Sequence, residues 1–408
     1  MKRIEGWRVL TGVGFSGARG VSPVKLSYPK SKRMPELDAL RGLFLVWMTF
    51  THMPTRFSDF VNQPLGFVSS AEGFVFMSAL LVSRVYLSDA QKSESGLREK
   101  LWRRTLKIYG YHLLMLTFAF TVAAAFAART HRPALYNLLN FYLAHPVVAI
   151  IGSILLIYCP PLLDILPMYV IFLFFTPVAL SMSVRYGWRW ILAGSGFLWV
   201  AAQFGLKEFL HNFVVHATHL PIPLQETGAF NLFAWQLVWI IGLWLGAKSM
   251  EGEMPLARVP GYAVALCGAV CVFFFEVRHG WLGLHLTQQT LGIEVDKWQI
   301  GPMRLVNLAA CLIVCYWLRR YLVRLIAREP FLTLGRASLQ VFSAHVFFVF
   351  AGLALLYGDV PQLHGFRAYG MLALTFTGLF LVAAREVKLR RAERLAAVEG
   401  QPDSPVVS

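Results

Sequence analysis

The sequence predicts an all-α protein, a polytopic bundle of about ten transmembrane helices with both termini on the cytosolic side. Three observations carry that expectation. The chain of 408 residues is 57% hydrophobic and only 15% charged, where soluble domains carry about 25% charged residues. Its mean hydropathy is +0.55. Its apolar residues form continuous runs close to the ~20 residues a helix needs to cross the hydrocarbon layer, rather than an amphipathic stripe.

Residues 1–35 read as a flexible basic tail, with Lys2, Arg3, Arg8, Arg19, Lys25, Lys30, Lys32 and Arg33 among glycines and serines. No apolar run followed by a small-residue cleavage site occurs there, so no cleaved signal peptide is expected. Candidate spans follow at 39–55, 65–86, 106–128, 147–158, 165–184, 188–206, 229–247, 259–276, 303–322, 337–357 and 367–385. Both tails are basic, so an even count is required if both are cytosolic. The segment 147–158 is too short to cross and ends at Pro160-Pro161, so it reads as a re-entrant piece buried in protein. Ten spans remain. One membrane domain covers 36–386, and 387–408 reads as a basic, disordered tail.

The net charge of +16 raises nucleic acid as a partner. The placement of the charge argues against it. Basic residues fall between apolar runs and near the ends, as the positive-inside rule requires, and form no continuous basic face. The five cysteines do not spell a disulfide framework. Cys267 with Cys271 and Cys311 with Cys315 are each one helical turn apart, which suits small side chains at helix contacts better than a metal site. No metal is expected.

Ionisable groups inside spans are costly and mark function by default. Arg41 and His52 are eleven residues apart, about 1100° of helix, so they share one face at ~16 Å separation. Taken alone, Arg41 also fits an interfacial anchor and His52 an interface histidine. Glu72 enters the second span at a similar depth to His52 and could fix its tautomer, or form a structural ion pair. His345 lies near the middle of the ninth span as a second base, a proton relay or an acyl carrier. Arg103, Arg104 and Lys107 form a dense cationic group at the start of the third span, either positive-inside charge or phosphate ligands. Asp164, Trp235 and Gln236 sit at the mouths of the fourth and sixth spans as substrate-binding candidates, although a tryptophan there also suits an aromatic belt.

These residues also carry a resemblance. ELDALRGLFLVWMTFTH resembles the first helix of the membrane acyltransferase 3 superfamily, with ten residues between its arginine and its histidine. The segment Glu72–Ser78 resembles the acidic-FFV-x-S element. RRTLKIYGY is similar to RRxxRIxPxY, with Lys107 for arginine and Gly110 for proline. PPLLDILPMY, FNLFAWQ and LGRASLQVFSAH resemble segments of the OpgC family within it. That resemblance implies an inner-membrane multi-pass enzyme moving succinyl from cytosolic succinyl-CoA to a periplasmic glucan. Acyl-CoA would be a substrate and no cofactor would be tightly held. Partners would be the donor, the glycan and the bilayer, with glucan-synthesis proteins as further candidates. His52, Glu72 and His345 would be catalytic, and Arg41, Arg103, Arg104 and Lys107 would hold donor phosphates. The competing readings are a transporter for a polar solute or glycan, and an inactive scaffold of the same fold.

Overall fold

The computed structural model describes residues 34–281, 283, 291–357 and 361–399. Residues 1–33 of the expected N-terminal tail and 400–408 of the C-terminal tail lie outside them. Helix α1 (Pro35–His52) opens on Pro35, whose missing N–H is harmless in a first turn, with Glu36 and Asp38 favourable to the dipole there. It stops at His52 because Met53 is extended ahead of Pro54. Helix α2 (Ser70–Lys92) starts on a capping box in which Ser69 and Glu72 exchange bonds. Helix α3 (Glu94–Thr130) is continuous through a π-helical segment at Ala119–Ala123.

The remaining elements named here are α4 (Pro146–Ile154), α5 (Ile165–Tyr186), α6 (Trp188–Gln203), α7 (Leu206–Thr218), α8 (Leu232–Met250), α9 (Gly261–His279), α10 (Pro302–Trp317), α11 (Arg319–Ile326), α12 (Phe331–Arg336), α13 (Ser338–Ala354) and α14 (Gly365–Glu399). Extended pairing among the described residues is confined to two isolated bridges. The protein is therefore all-helical.

Among the described residues six helices are long and apolar enough to cross a membrane: α2, α3, α5, α8, α9 and α14. A seventh would be α10 with α11, but the two are bent by 81°. The uninterrupted span expected at 303–322 is thus corrected to a helix broken at Leu318. The physical reason is charge: Arg319, Arg320 and Arg324 follow the break, and a helix carrying them does better along an interface than across hydrocarbon. The other expected spans are helical but fall short on charge or length. α1 carries Glu36, Asp38 and Arg41 in 18 residues, while α6 has 16 and α13 has 17. The re-entrant candidate is a nine-residue helix, α4, about 14 Å long and unable to cross. Helix α14 runs on past residue 386 to Glu399. Glu386 and Arg390 explain this locally: Arg390 donates from Nε to Glu386, from Nη1 to the Arg336 carbonyl at 3.0 Å and from Nη2 to Gln340.

The core centres on α2, with 78% of its apolar window buried in protein, whereas α9 buries 22% and lies at the rim. α8 lies against α2 through Gly242 and Gly246, a small-xxx-small pair that lets backbones approach. A Cβ at Gly242 would come 2.6 Å from the Phe76 carbonyl oxygen, and one at Gly246 would strike that of Leu80. Gly246→Val is therefore expected to push α8 off α2 and lower the melting temperature in detergent by several degrees; an unchanged melting curve would show that the contact is loose.

Candidate active site

His52 is the last residue of α1 and His345 lies inside α13. Their rings stack with centroids 5.5 Å apart and 21° between planes. His52 Nδ1 is 3.2 Å from His345 Nε2, and His345 Nδ1 is 2.6 Å from the Phe342 carbonyl one helical turn back. A carbonyl can only accept, so Nδ1 of His345 carries its proton and Nε2 of the neutral ring holds a lone pair. His52 must then donate from Nδ1 to that lone pair, leaving its own Nε2 as the free acceptor. The chain is directed: Phe342 carbonyl, His345, His52, open nitrogen. Phe342 packs against His345 at 5.0 Å and against Phe74 of α2 at 6.1 Å, and His345 is 1% exposed.

Glu72 does not serve His52. One carboxylate oxygen accepts from the Ser69 N–H at 3.0 Å and from the Ser69 hydroxyl. The other accepts from Nη1 of Arg304. Glu72 and Arg304 are both fully buried, and Arg304 also donates from Nε to the Val295 carbonyl at 3.1 Å. The expected orienting role of Glu72 is corrected accordingly: His345 orients His52, and Glu72 ties α2 to α10. Glu72 is also in the first turn of α2 rather than well inside it. The Ser69-x-x-Glu72 spacing could have shown the cap. Arg304 and His112 of α3 are two further buried ionisable groups inside helices, neither of them among the candidates the sequence singled out.

The segment 295–301 is clamped from several sides. The Asn231 N–H donates to the Trp298 carbonyl at 3.0 Å, the Trp235 indole to the same carbonyl at 3.2 Å, and the Trp199 indole to the Ile300 carbonyl at 2.9 Å. Gln203 donates to the Gln299 carbonyl at 2.8 Å, and the Asn231 side chain reaches Gln299 at 2.8 Å. Trp235, fully buried, thus holds this segment. Gln236 joins α8 to α6 instead: its Nε2 donates to the Ser195 carbonyl at 2.8 Å and its Oε1 accepts from the Ser195 hydroxyl at 2.7 Å. The segment carries Lys297, a residue the sequence reading passed over because it lies in a polar loop. Lys297 feels the charges of Glu72, Arg304 and Asp164, and His52 feels the charge of Lys297.

Asp164 immediately precedes α5, makes no side-chain cap bond to it, and accepts from the Ala229 N–H at 3.2 Å. Burial pushes its carboxyl up to about 6, against the opposing pull of that bond and of Lys297 and Lys207. An acid raised in the folded state adds stability fully only below its unfolded pKa, and that contribution is lost as pH rises through about 6. Asp164→Asn keeps an acceptor for Ala229, so the fall in melting temperature between pH 5 and pH 8 is expected to shrink in the variant. An equal fall in both proteins would remove Asp164 as its source.

A cationic group forms lower on α1. Arg41 senses Tyr169, Arg104, Asp38 and Arg390, and its buried Nε has no hydrogen-bond partner among the described residues. Arg104 reaches the hydroxyls of Tyr86 and Tyr169. The neighbouring cations do not join it. Arg103 is exposed and pairs with Glu99 at 2.6 Å, and Lys107, one turn on, is exposed too. Leu101, Arg104 and Ile108 share the inward face of α3, which leaves Arg103 and Lys107 facing out. The cysteines meet across α9 and α10, Cys271 Sγ lying 3.7 Å from Cys311 Sγ.

No curated protein and no solved structure matches the chain. The family model described as OpgC protein matches residues 33–391, a range that holds every group above. The chain belongs to the OpgC protein family, whose members have a membrane acyltransferase-type role.

Proposed function

We propose that the protein is a multi-pass O-acyltransferase of the bacterial inner membrane. It moves an acyl group, succinyl in our reading, from cytosolic acyl-CoA to a hydroxyl of a periplasmic glucan. In this reading ten helices cross, α1 runs outward and both chain ends are cytosolic. The observation that carries it is the directed chain from the Phe342 carbonyl through His345 to His52, which leaves Nε2 of His52 as a lone-pair base. That base stands ~16 Å along α1 from Arg41.

A sugar hydroxyl is a poor nucleophile near neutral pH and needs a base within hydrogen-bond reach. His52 Nε2 takes the hydroxyl proton as the oxygen attacks the thioester carbonyl carbon. The new C–O bond forms, the C–S bond breaks, and the thiolate leaves with the proton returned from His52. During the step the imidazolium is stabilised by donating from Nδ1 to neutral His345, the role a buried orienting group plays in other nucleophile–base pairs. Arg41 and Arg104 hold the donor's phosphates, with Tyr86 and Tyr169 fixing Arg104, so the flexible arm of the donor spans the distance to His52. Both nitrogens of His345 are engaged, which favours direct transfer over an acyl-histidine relay.

Mass spectrometry of periplasmic glycans from cells with and without the gene tests the reading. The expected result is an acyl mass increment that vanishes with the gene; identical spectra would overturn it.

A further inference from the structure

The geometry points to a binding site for the free carboxylate of a dicarboxylic acyl group, formed by Lys297 with Arg304 beside it, that selects which acyl group the enzyme transfers. This rests on the acyltransferase reading above and adds to it a residue that sets specificity.

Lys297 lies on the clamped segment 295–301, so its main chain is held by α6, α8 and α10 rather than free to swing. Asp296 tightens the turn on both sides of the lysine, accepting the Gln299 N–H at 2.7 Å through its carboxylate and the Gly301 N–H at 3.0 Å through its carbonyl. The ammonium stands 4.8 Å from the centre of the Trp298 ring, which fixes it by cation–π attraction. Its charge acts on His52, and the charges of Glu72, Arg304 and Asp164 act on it; Arg304 is tied to the same segment by its Nε bond to the Val295 carbonyl.

The two acids nearby are already engaged. Glu72 gives one oxygen to Arg304 and the other to Ser69, and Asp164 accepts from Ala229. Among the described residues Lys297 has no carboxylate within ion-pair distance. Arg304, fully buried, keeps Nη2 without a hydrogen-bond partner among the described residues. A fully buried guanidinium with an unused donor, tied to the segment that carries a half-buried ammonium, is suited to an anion.

The chemistry of the reaction says where that anion comes from. The nucleophile is an uncharged sugar hydroxyl. The phosphates of the donor belong to Arg41 and Arg104, ~16 Å down α1. What remains next to His52 is the acyl chain itself, so the anion is a carboxylate at its far end. A charge-assisted hydrogen bond of this kind is worth about 1.5–3 kcal/mol, or ~10–100-fold in preference.

The experiment uses the purified full chain in nanodiscs with a glucan acceptor. It compares succinyl-CoA with butyryl-CoA, which has the same chain length and no terminal charge. Wild type is expected to favour succinyl. Lys297→Met should lower the succinyl-to-butyryl ratio of kcat/KM by at least ~10-fold, with butyryl transfer retained as the control for folding. Lys297→Arg should restore most of the preference. An unchanged ratio in Lys297→Met, or an equal loss with both donors, overturns the carboxylate site while the acyltransferase reading stands. Wild type that transfers from neither donor overturns both.

Discussion

His52→Ala is expected to lower acyl transfer by ~10²–10⁴-fold, the usual worth of a positioned base, with protein level and helical content unchanged. His52 is partly exposed at the end of α1, so its removal leaves no large void. His345→Ala should cost nearly as much for a different reason. The His345 ring touches His52 rather than the substrate in this geometry, and it decides which nitrogen of His52 bears the proton. Without it the tautomer with a blocked Nε2 becomes available and the imidazolium loses its acceptor. The double variant should be little worse than either single one, because residues acting as a unit are not additive. Rates measured with purified protein decide the matter: near-normal transfer by His52→Ala removes it as the base, and multiplicative losses would separate the two histidines.

Arg304→Met is expected to destabilise the fold by ~3–5 kcal/mol, because it leaves Glu72 as an uncompensated buried charge. Glu72→Gln alone should also destabilise, by stranding the guanidinium that Glu72 now receives. Glu72→Gln with Arg304→Met removes both charges, and thermal unfolding in detergent should place it above the Arg304→Met single variant. Simple addition of the two single losses would show that the pair is not coupled. The result also separates structure from catalysis, since the double variant keeps His52 and His345.

Much of this was legible in the sequence. Apolar runs marked the helices, because a bilayer imposes length and excludes charge along a continuous stretch. Arg41 and His52 were visible as a pair, because helical periodicity alone places them on one face. His345 stood out as an ionisable group in an apolar run. What stayed hidden was pairing between distant segments. Glu72 and Arg304 are separated by 232 positions, and His52 and His345 by 293, so no local spacing reveals either contact. Glu72 could thus be recognised as a buried carboxylate and still be assigned the wrong partner. Lys297 was invisible for another reason: it lies in a polar loop whose clamp by α6, α8 and α10 is made of long-range contacts. The division of labour in α3, with Arg104 inward and Arg103 and Lys107 outward, could have been read from the apolar face of Leu101 and Ile108. The break at Leu318 was likewise foreshadowed by Arg319 and Arg320.

The central claim is that one helix connects a donor on one side of the membrane to an acceptor on the other. Proteoliposomes with the purified protein oriented one way, glucan inside and acyl-labelled succinyl-CoA outside, test it most directly. The account expects label on the enclosed glucan with wild type and none above background with His52→Ala. Label appearing only when donor and glucan share a compartment, or equally with His52→Ala, would contradict it.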